Sequence, residues 1–372
     1  MMISEFTEGA YLGWLASAEL KADYLRLLIL QYGTGERVYE AVSRREEALR
    51  EILPKPCLDK LVHDATQENV ACLYDLLSAH RIHAMTSRDP AFPDILREIT
   101  DPVSIMFYQG NPACLSSRTI GMMGSRQASY TGLKAARRIA GDLSRAGVSV
   151  VSGFAYGIDA ASHRGCLEGG SPTIAVMGCG LDQNYPADHA QLRSQVLDAG
   201  GILLSEYAPG EKALPGHFRY RNRIISALGE ALVLVEAKIR SGSLITVEHA
   251  LQQGKEVFVY PGDPASPHFE GNHQLLREGG HYFTTAQDIL EDMNWLDKKP
   301  REVQNSGCNG SPASASPAEE KIRKLLRGGA LSFEQLASES LLLPAELLSI
   351  LTILQVRGIV EPLPGKKYQL KQ

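Results

Sequence analysis

Between about residues 82 and 296 the chain repeats one rhythm, a short apolar run rich in Val, Ile and Met followed by an amphipathic stretch. The apolar runs are Thr119–Met123, Val148–Val151, Thr173–Met177, Ile202–Leu204, Ala231–Val235 and Val257–Tyr260. The amphipathic stretches are Gly132–Arg145, Asp159–Leu167, His189–Asp198, Phe218–Leu228, Leu244–Gln253 and Gln274–Glu278. A strand that is apolar throughout must be covered on both faces, and a parallel neighbour needs a crossover helix. The alternation therefore predicts an α/β fold with a doubly wound, mainly parallel sheet. Ligands of such sheets sit outside the carboxyl ends of the strands, so function is to be sought in the loops after each strand.

The flanks have a different grammar. In residues 1–81, Leu12, Leu15, Leu20, Leu25, Leu28 and Ile29 recur at helical spacing, broken at Gln31–Glu36 and Pro54–Pro56, which predicts a small helical domain. Residues 297–317 (DKKPREVQNSGCNGSPASASP) have almost nothing to bury and read as a flexible linker. Residues 318–372 read as a helix at Glu319–Leu326, a helix at LSFEQLA, a third helix after Pro344 and a Gly-turned hairpin. That order is a winged helix. A length of 372 residues accommodates these modules around a core at 82–296.

Several classes are excluded. No run of about 18 apolar residues occurs, so no membrane span is expected. The opening MMISEFTEGAY is acidic and lacks the basic and apolar regions of a secretory signal, which points to a cytoplasmic protein. The six cysteines form no CxxC pair and no zinc spacing, so reduced thiols and no metal are expected. A net charge of -5 excludes a uniformly basic coat but allows a local basic groove.

The loops carry the chemistry. After the first run, Gly124-Ser125-Arg126 precedes a helix, which frees backbone N–H groups and adds a bidentate cation. Ser152, Gly153 and Gly157 in SGFAYGIDAASH repeat the arrangement. There Asp159 reads as a helix cap and His163 as an internal packing residue rather than an acid–base pair. Gly178 and Gly180 lack the third glycine of a dinucleotide fingerprint, and no GxxxxGK[ST] is present, so no nucleotide cofactor is expected. In HFRYRNRIISALGEALVLVEAKIRSGSLITVEHA, Arg219, Arg221, Asn222 and Arg223 crowd a predicted helix start with His217, Phe218 and Tyr220 among them. Lys238 and Arg240 then lead into Ser241-Gly242-Ser243 and Thr246. Cations beside hydroxyls and helix starts bind successive phosphates, and aromatics among them stack on exposed bases. Cations at a helix start oppose the macrodipole unless an anion compensates, which favours a binding role.

The motifs GSRQASYTG, VVSGFAYGIDAASHRGCLEGGSPTIAVMGCGLDQNYP, LLSEYAPGE, HFRYRNRIISALG and VEAKIRSGSLITVEHALQQGKEVFVYPG resemble the bacterial DNA-processing protein A family (DprA, also called Smf). DPAFPDILREITDPVSIMFYQGNP is similar to that family's entry to the core, and the resemblance is dense over Asp89–Leu290. It implies a Rossmann-like core that binds single-stranded DNA without reading sequence and helps load the RecA recombinase in natural transformation. It also implies a homodimer and no enzymatic activity. On this resemblance Arg126, Arg221-Asn222-Arg223, Lys238 and Ser241-Gly242-Ser243 match DNA-facing loops. Tyr156 stands where the family usually has Arg or Lys, so stacking replaces a phosphate contact or the contact is lost. Gly271-Asn272-His273 departs from the usual GCN or GCH near the segment used for dimer contact, which here contains His273, Leu275 and Leu276.

Two other readings belong to different classes. Gly242, Thr246 and Glu248 resemble the signature of nucleoside-monophosphate phosphoribohydrolases, with Glu248 catalytic, although the second glycine of their paired turn is missing. The winged helix could also read duplex sequence as a transcription regulator. Its third helix, with Leu347, Leu348, Leu351 and Leu354, is too apolar for groove reading and suits internal packing.

Overall fold

The computed structural model describes residues 6–296, 317–327, 329–340, 342, 347, 350–351, 354–355, 359–363 and 367–370. Two compact units are present, Met1–Asp297 and Lys298–Gln372. The expected linker lies outside the described residues except at Pro317, and so does most of the helix expected after Pro344.

The first unit opens with six helices: α1 (Glu8–Ser17), α2 (Ala22–Tyr32), α3 (Gly35–Arg44), α4 (Leu49–Ile52), α5 (Lys55–Asp64) and α6 (Gln67–His80). Thr34 and Thr66 cap α3 and α6 by accepting the backbone N–H of Arg37 and Asn69. These helices do not form a core of their own. Leu12, Trp14, Leu15 and Leu77 lie in one continuous apolar cluster with Phe107, Ala175, Met177 and Leu203 of the central sheet.

The sheet has nine strands: β1 (His83–Thr86), β2 (Ile105–Gly110), β3 (Thr119–Met123), β4 (Ser149–Ser152), β5 (Ile174–Val176), β6 (Ile202–Ser205), β7 (Ala231–Leu234), β8 (Glu256–Val259) and β9 (His281–Tyr282). Their order is β1-β2-β6-β5-β4-β3-β7-β8-β9. Strands β3 to β9 pair in parallel, and β1 and β2 extend the β6 edge antiparallel. The chain winds outward from β3 through β4, β5 and β6, then returns to the other side of β3 as β7. The switch point therefore lies between β3 and β7. All six predicted strands are present. β1, β2 and β9 were not anticipated, because the first two pair without a crossover helix and β9 has two exposed residues.

The connecting helices are α7 (Ile95–Glu98), α8 (Tyr130–Arg145), α9 (Ile158–Gly169), α10 (Ala190–Asp198), α11 (Pro215–Leu228), α12 (Ser243–Gln252), α13 (Glu270–Arg277) and α14 (Ala286–Asp292). On one face, Ile139, Leu143, Ile158 and Ile289 of α8, α9 and α14 cover Ile120, Val150 and Val233. On the other, Ile224 and Ile225 of α11 cover Val151 and Val176, and Val247 and Ala250 of α12 cover Leu232 and Leu234. The result is a three-layer α/β core. Among the described residues no helix is long and apolar enough to cross a membrane, and no His, Cys, Asp or Glu cluster could hold a metal ion.

The second unit contains α15 (Pro317–Leu326), β10 (Leu331–Ser332), α16 (Phe333–Ser340), β11 (Val360–Leu363) and β12 (Lys367–Leu370). Its strands form an antiparallel sheet ordered β10-β12-β11, the arrangement of a winged helix. Leu347, Leu351 and Leu354 are buried in its core with Ile322 and Leu336.

Helices α8 and α9 cross backbone to backbone at two glycines. A Cβ at Gly165 would overlap the Arg137 carbonyl, and one at Gly141 would stand 3.2 Å from the Gly165 carbonyl oxygen. Gly216, by contrast, has no neighbour within 4 Å of its Cβ position. Gly165→Ala is expected to cost about 2–3 kcal/mol in chemical denaturation. Gly216→Ala is expected to be neutral or stabilising by up to about 1 kcal/mol.

Candidate nucleic-acid interface

Beyond the carboxyl ends of β3, β4 and β7, at the switch point, opens a cleft of about 570 Å³. Its loops are stitched together by main chain. The Ser125 N–H donates to the Glu236 carbonyl at 2.8 Å, and the Ser125 carbonyl accepts from the Ile158 N–H at 3.1 Å. A Cβ at Gly124 would stand 2.7 Å from Ile158 Cγ1 and 2.8 Å from the Glu236 oxygen, so only glycine lets β3, β7 and α9 converge here. Gly157 has φ +76°, and its Cβ would overlap the Ser125 carbonyl. Phe154, in the same loop, is a non-glycine residue at φ +58°. Such a conformation costs about 1–3 kcal/mol and persists because the surroundings enforce it. Here the Phe154 ring is buried between His163 and His189, with centroids 5.5 and 5.4 Å away.

Helix α11 starts at Pro215, three residues before the predicted start, because Pro suits the first helical position. Arg219 to Arg223 are therefore in mid-helix, and the expected conflict with the macrodipole does not arise. The cations divide into two groups. Arg126, Arg219 and Lys238 are exposed and line the cleft. Among the described residues none of these three is in an ion pair. Arg221 and Arg223 are buried.

Arg221 lies beneath the cleft, 2% exposed, and its Nη1 donates to the Gly153 carbonyl at 2.7 Å and to the Val176 carbonyl. Burial lowers its pKa to about 10, so it stays charged at neutral pH. Burial raises the pKa of Asp159, and the nearby Arg221 charge opposes that rise. Asp159 is not the helix cap that was expected. Gly157 takes that place, and Asp159 accepts the Ala155 N–H at 3.3 Å from the first turn. Asn222 also lines the cleft.

Arg223 does not reach the cleft. It is 4% exposed, and its Nη2 donates to Glu206 Oε1 at 2.8 Å and its Nε to the Asp101 carbonyl at 3.0 Å. Its guanidinium also stacks 3.9 Å from the Tyr220 ring centre. Sequence spacing could not show this, because the compensating carboxylate lies on a different loop. Removing one partner of such a buried pair costs about 3–5 kcal/mol, so Arg223 is structural.

Phe218 forms the cleft wall, with the Arg126 guanidinium 5.0 Å from its ring centre and Tyr185 at 5.1 Å. A Cβ at Gly178 would stand 2.8 Å from Phe218 Cδ1, so this glycine makes room for the ring. Ser241 and Ser243 line the opposite wall, their hydroxyls 2.6 Å apart, beside Gly242. Gly153 is buried under the cleft, where a Cβ would stand 2.7 Å from both Arg221 Nη2 and Asp159 Oδ2.

Several expected site residues lie elsewhere. Ser152 is buried and its hydroxyl donates to the Met122 carbonyl at 2.6 Å. Tyr156 is 43% exposed but outside the cleft lining, and its hydroxyl donates to Asp188 Oδ2 at 3.1 Å. Thr246 is fully buried, and Glu248 is exposed on α12. Neither lines the cleft, so Gly242, Thr246 and Glu248 do not assemble into one site. Away from the cleft, His273 Nε2 lies 2.8 Å from the Pro261 carbonyl, and Leu275 and Leu276 are half-buried against Leu232 and Leu234.

Two contributors were missed in the sequence. Tyr185 reaches the cleft from the loop after β5. Glu236 is a fully buried carboxylate that accepts the Ser129 N–H at 3.0 Å at the start of α8.

His163 tests how tightly this floor is packed. Its Nδ1 lies 2.8 Å from Thr173 Oγ1, whose hydroxyl donates to the Val150 carbonyl, so Nδ1 carries the proton. Burial, reinforced by His189 and Arg221, pushes its pKa from 6.5 to about 3. The folded state thus holds the imidazole neutral, while the unfolded chain protonates it below pH 6.5. Stability is fully present above that pH and is lost as pH falls toward 3. Chemical denaturation from pH 7 to pH 5 is expected to cost the wild type roughly 2 kcal/mol more than His163→Asn.

The comparisons with known proteins agree with this fold. Residues 83–294 match the family described as DNA recombination-mediator protein A, and residues 309–366 match the DprA winged helix domain. The chain is 40% identical to DNA processing protein DprA of Streptococcus pneumoniae over 56% of its own length and 73% of that protein's. Protein Smf of Synechocystis is 29% identical over 98% of this chain and 99% of its own length. The X-ray structure of the Streptococcus pneumoniae protein aligns with a TM-score of 0.65 at 31% identity, covering 78% of this chain and 99% of that one. DNA processing protein A from Helicobacter pylori, whose structure is described for its single-stranded DNA binding mode, aligns with a TM-score of 0.51 at 25% identity. That alignment covers 57% of this chain and 96% of the Helicobacter pylori one. An α/β core with its cleft at the switch point and a C-terminal winged helix thus meet in one sequence, and the chain belongs to the DNA recombination-mediator protein A (DprA) family.

Proposed function

We propose that the chain binds single-stranded DNA in the cleft between β3 and β7, without reading base sequence and without catalysing a reaction on it. The observation that carries this reading is the set of three unpaired cations, Arg126, Arg219 and Lys238, around an aromatic wall at Phe218. The cations suit phosphates spaced along a strand, the Ser241-Gly242-Ser243 turn lets a backbone approach closely, and the half-buried Tyr185 offers ring surface to an unpaired base, while Phe218, 9% exposed, backs the Arg126 guanidinium. That the Helicobacter pylori protein is described as binding single-stranded DNA supports a single strand as the ligand.

In this reading the bound strand is delivered to the RecA recombinase in natural transformation, in the cytoplasm; the family description as a recombination mediator supports a role in recombination. The chain acts as a homodimer through the α13 segment at His273, Leu275 and Leu276. In this reading the helices of residues 1–81 pack on the DNA-binding core at 82–296 as part of one unit, followed by a linker at 297–317 and the winged helix at 318–372. The contributions of Arg221, Gly124, Gly153 and Gly157 are to shape the cleft, and Arg223 holds α11 in place.

Salt titration of oligo-dT binding tests the assignment. Arg126→Ala and Lys238→Ala are each expected to weaken binding about three- to tenfold and to reduce the salt slope by about 0.7. Unchanged affinity and slope in both variants would remove the cleft from the binding path.

A further inference from the structure

Helix α11 walls a second cavity besides the cleft. His217 and Tyr220, one helical turn apart, line it, whereas Phe218, Arg219, Arg221 and Asn222 line the cleft. The second cavity encloses about 350 Å³ where the turn between α1 and α2 meets the start of β2 and the loop after β6. Three of its lining residues carry buried polar atoms that make no hydrogen bond among the described residues: Ser104 Oγ, Glu206 Oε2 and His217 Nδ1. Strand β2 meets β6 antiparallel with Phe107 opposite Ser205, so Ser104 and Glu206 leave the sheet at the same end of that pair. A buried polar atom without a partner is costly, and three around one cavity mark a place that an occupant completes.

The lining describes that occupant. Charge does not select it. Glu206 is already paired with Arg223 at 2.8 Å, and Arg223 also meets Asp101 at 3.7 Å. At the mouth Glu19 pairs with Lys60 at 3.2 Å, and Lys21 and Glu211 carry opposite signs. A neutral molecule fits such a balance best. It needs an N–H for the carboxylate oxygen and an acceptor for the hydroxyl. It also needs a flat apolar body, because Leu20, Leu25 and Ile105 line the cavity together with three rings. Two of these rings, Tyr207 and His217, already lie face to face, 4.0 Å apart and 14° from parallel. Water would complete the three polar atoms but would leave this apolar wall wet.

We propose that the cavity binds the amino-bearing edge of a nucleobase, adenine, cytosine or guanine. The exocyclic amino group donates to Glu206 Oε2, and a ring nitrogen or carbonyl accepts from the Ser104 hydroxyl. The base comes either from a free nucleoside or from a strand held in the cleft across α11, extruded from its stack. The second source rests on the proposed reading of the cleft, and the first does not.

The test titrates the full chain with adenosine, cytidine, guanosine and thymidine, and then with oligo-dC and oligo-dT. The three amino-bearing nucleosides are expected to bind with a Kd of about 0.1 mM, and thymidine about tenfold more weakly. Ser104→Ala removes a hydroxyl that has no partner among the described residues, and His217→Phe keeps a ring on Tyr207. Each is expected to leave the melting transition unchanged or raised and to weaken nucleoside binding about three- to tenfold. A loss with free nucleosides assigns the site to a free ligand. A loss confined to oligo-dC, with nucleosides silent and oligo-dT unchanged, assigns it to a base of the strand. Nucleosides that fail to bind at millimolar concentration, with oligo-dC affinity equal in wild type and both variants, overturn the inference and leave the cavity to water. Nucleoside binding that is unchanged in both variants, or as tight for thymidine as for the others, overturns it too. Arg126→Ala separates this from the cleft assignment, since it is expected to weaken oligo-dC and oligo-dT but not free nucleosides.

Discussion

The cleft depends on one buried guanidinium. Arg221 is protonated in the protein interior, where an unpaired charge is costly, and its position is fixed by the carbonyls of Gly153 and Val176 at the ends of β4 and β5. Asp159, in the first turn of α9, lies beside it at Gly153; burial raises the Asp159 pKa and the guanidinium charge opposes that rise. This arrangement ties α11 to two strand ends and to the loop that carries Phe154 in its left-handed conformation. It also places positive charge under the cleft floor, where salt screens it less than it screens an exposed cation. Glycine at 153 is a consequence, because a larger residue would displace either the guanidinium or the carboxylate.

Helix α11 then shows how position separates residues of one type. Arg219 points into the cleft unpaired, Arg221 braces the strand ends, and Arg223 is neutralised by Glu206 and covered by Tyr220. The three lie within five residues, yet only one is placed to meet a ligand directly. The macrodipole has no part in this, since the helix begins at Pro215.

Much of this was legible in the sequence. Unbroken apolar strands and amphipathic helices impose the doubly wound sheet, and the rule that ligands bind at the strand ends led to the loops at Gly124-Ser125-Arg126 and Ser241-Gly242-Ser243 that line the cleft. What stayed hidden depends on partners distant in sequence. Glu206 and Asp101 claim Arg223, Asp188 draws the Tyr156 hydroxyl away, and the Met122 carbonyl takes the Ser152 hydroxyl. The antiparallel strands β1 and β2 escaped for a related reason, since pairing without a crossover helix leaves no periodic signal.

Hydrogen exchange with and without saturating oligo-dT measures the central assignment most directly, because it reports on the backbone of every loop at once. Protection is expected to concentrate in peptides covering residues 124–127, 153–158, 215–222 and 238–243, around the cleft at the end of β3 and β7. Saturating DNA that leaves all four segments unchanged, or that protects only residues 318–372, would contradict it.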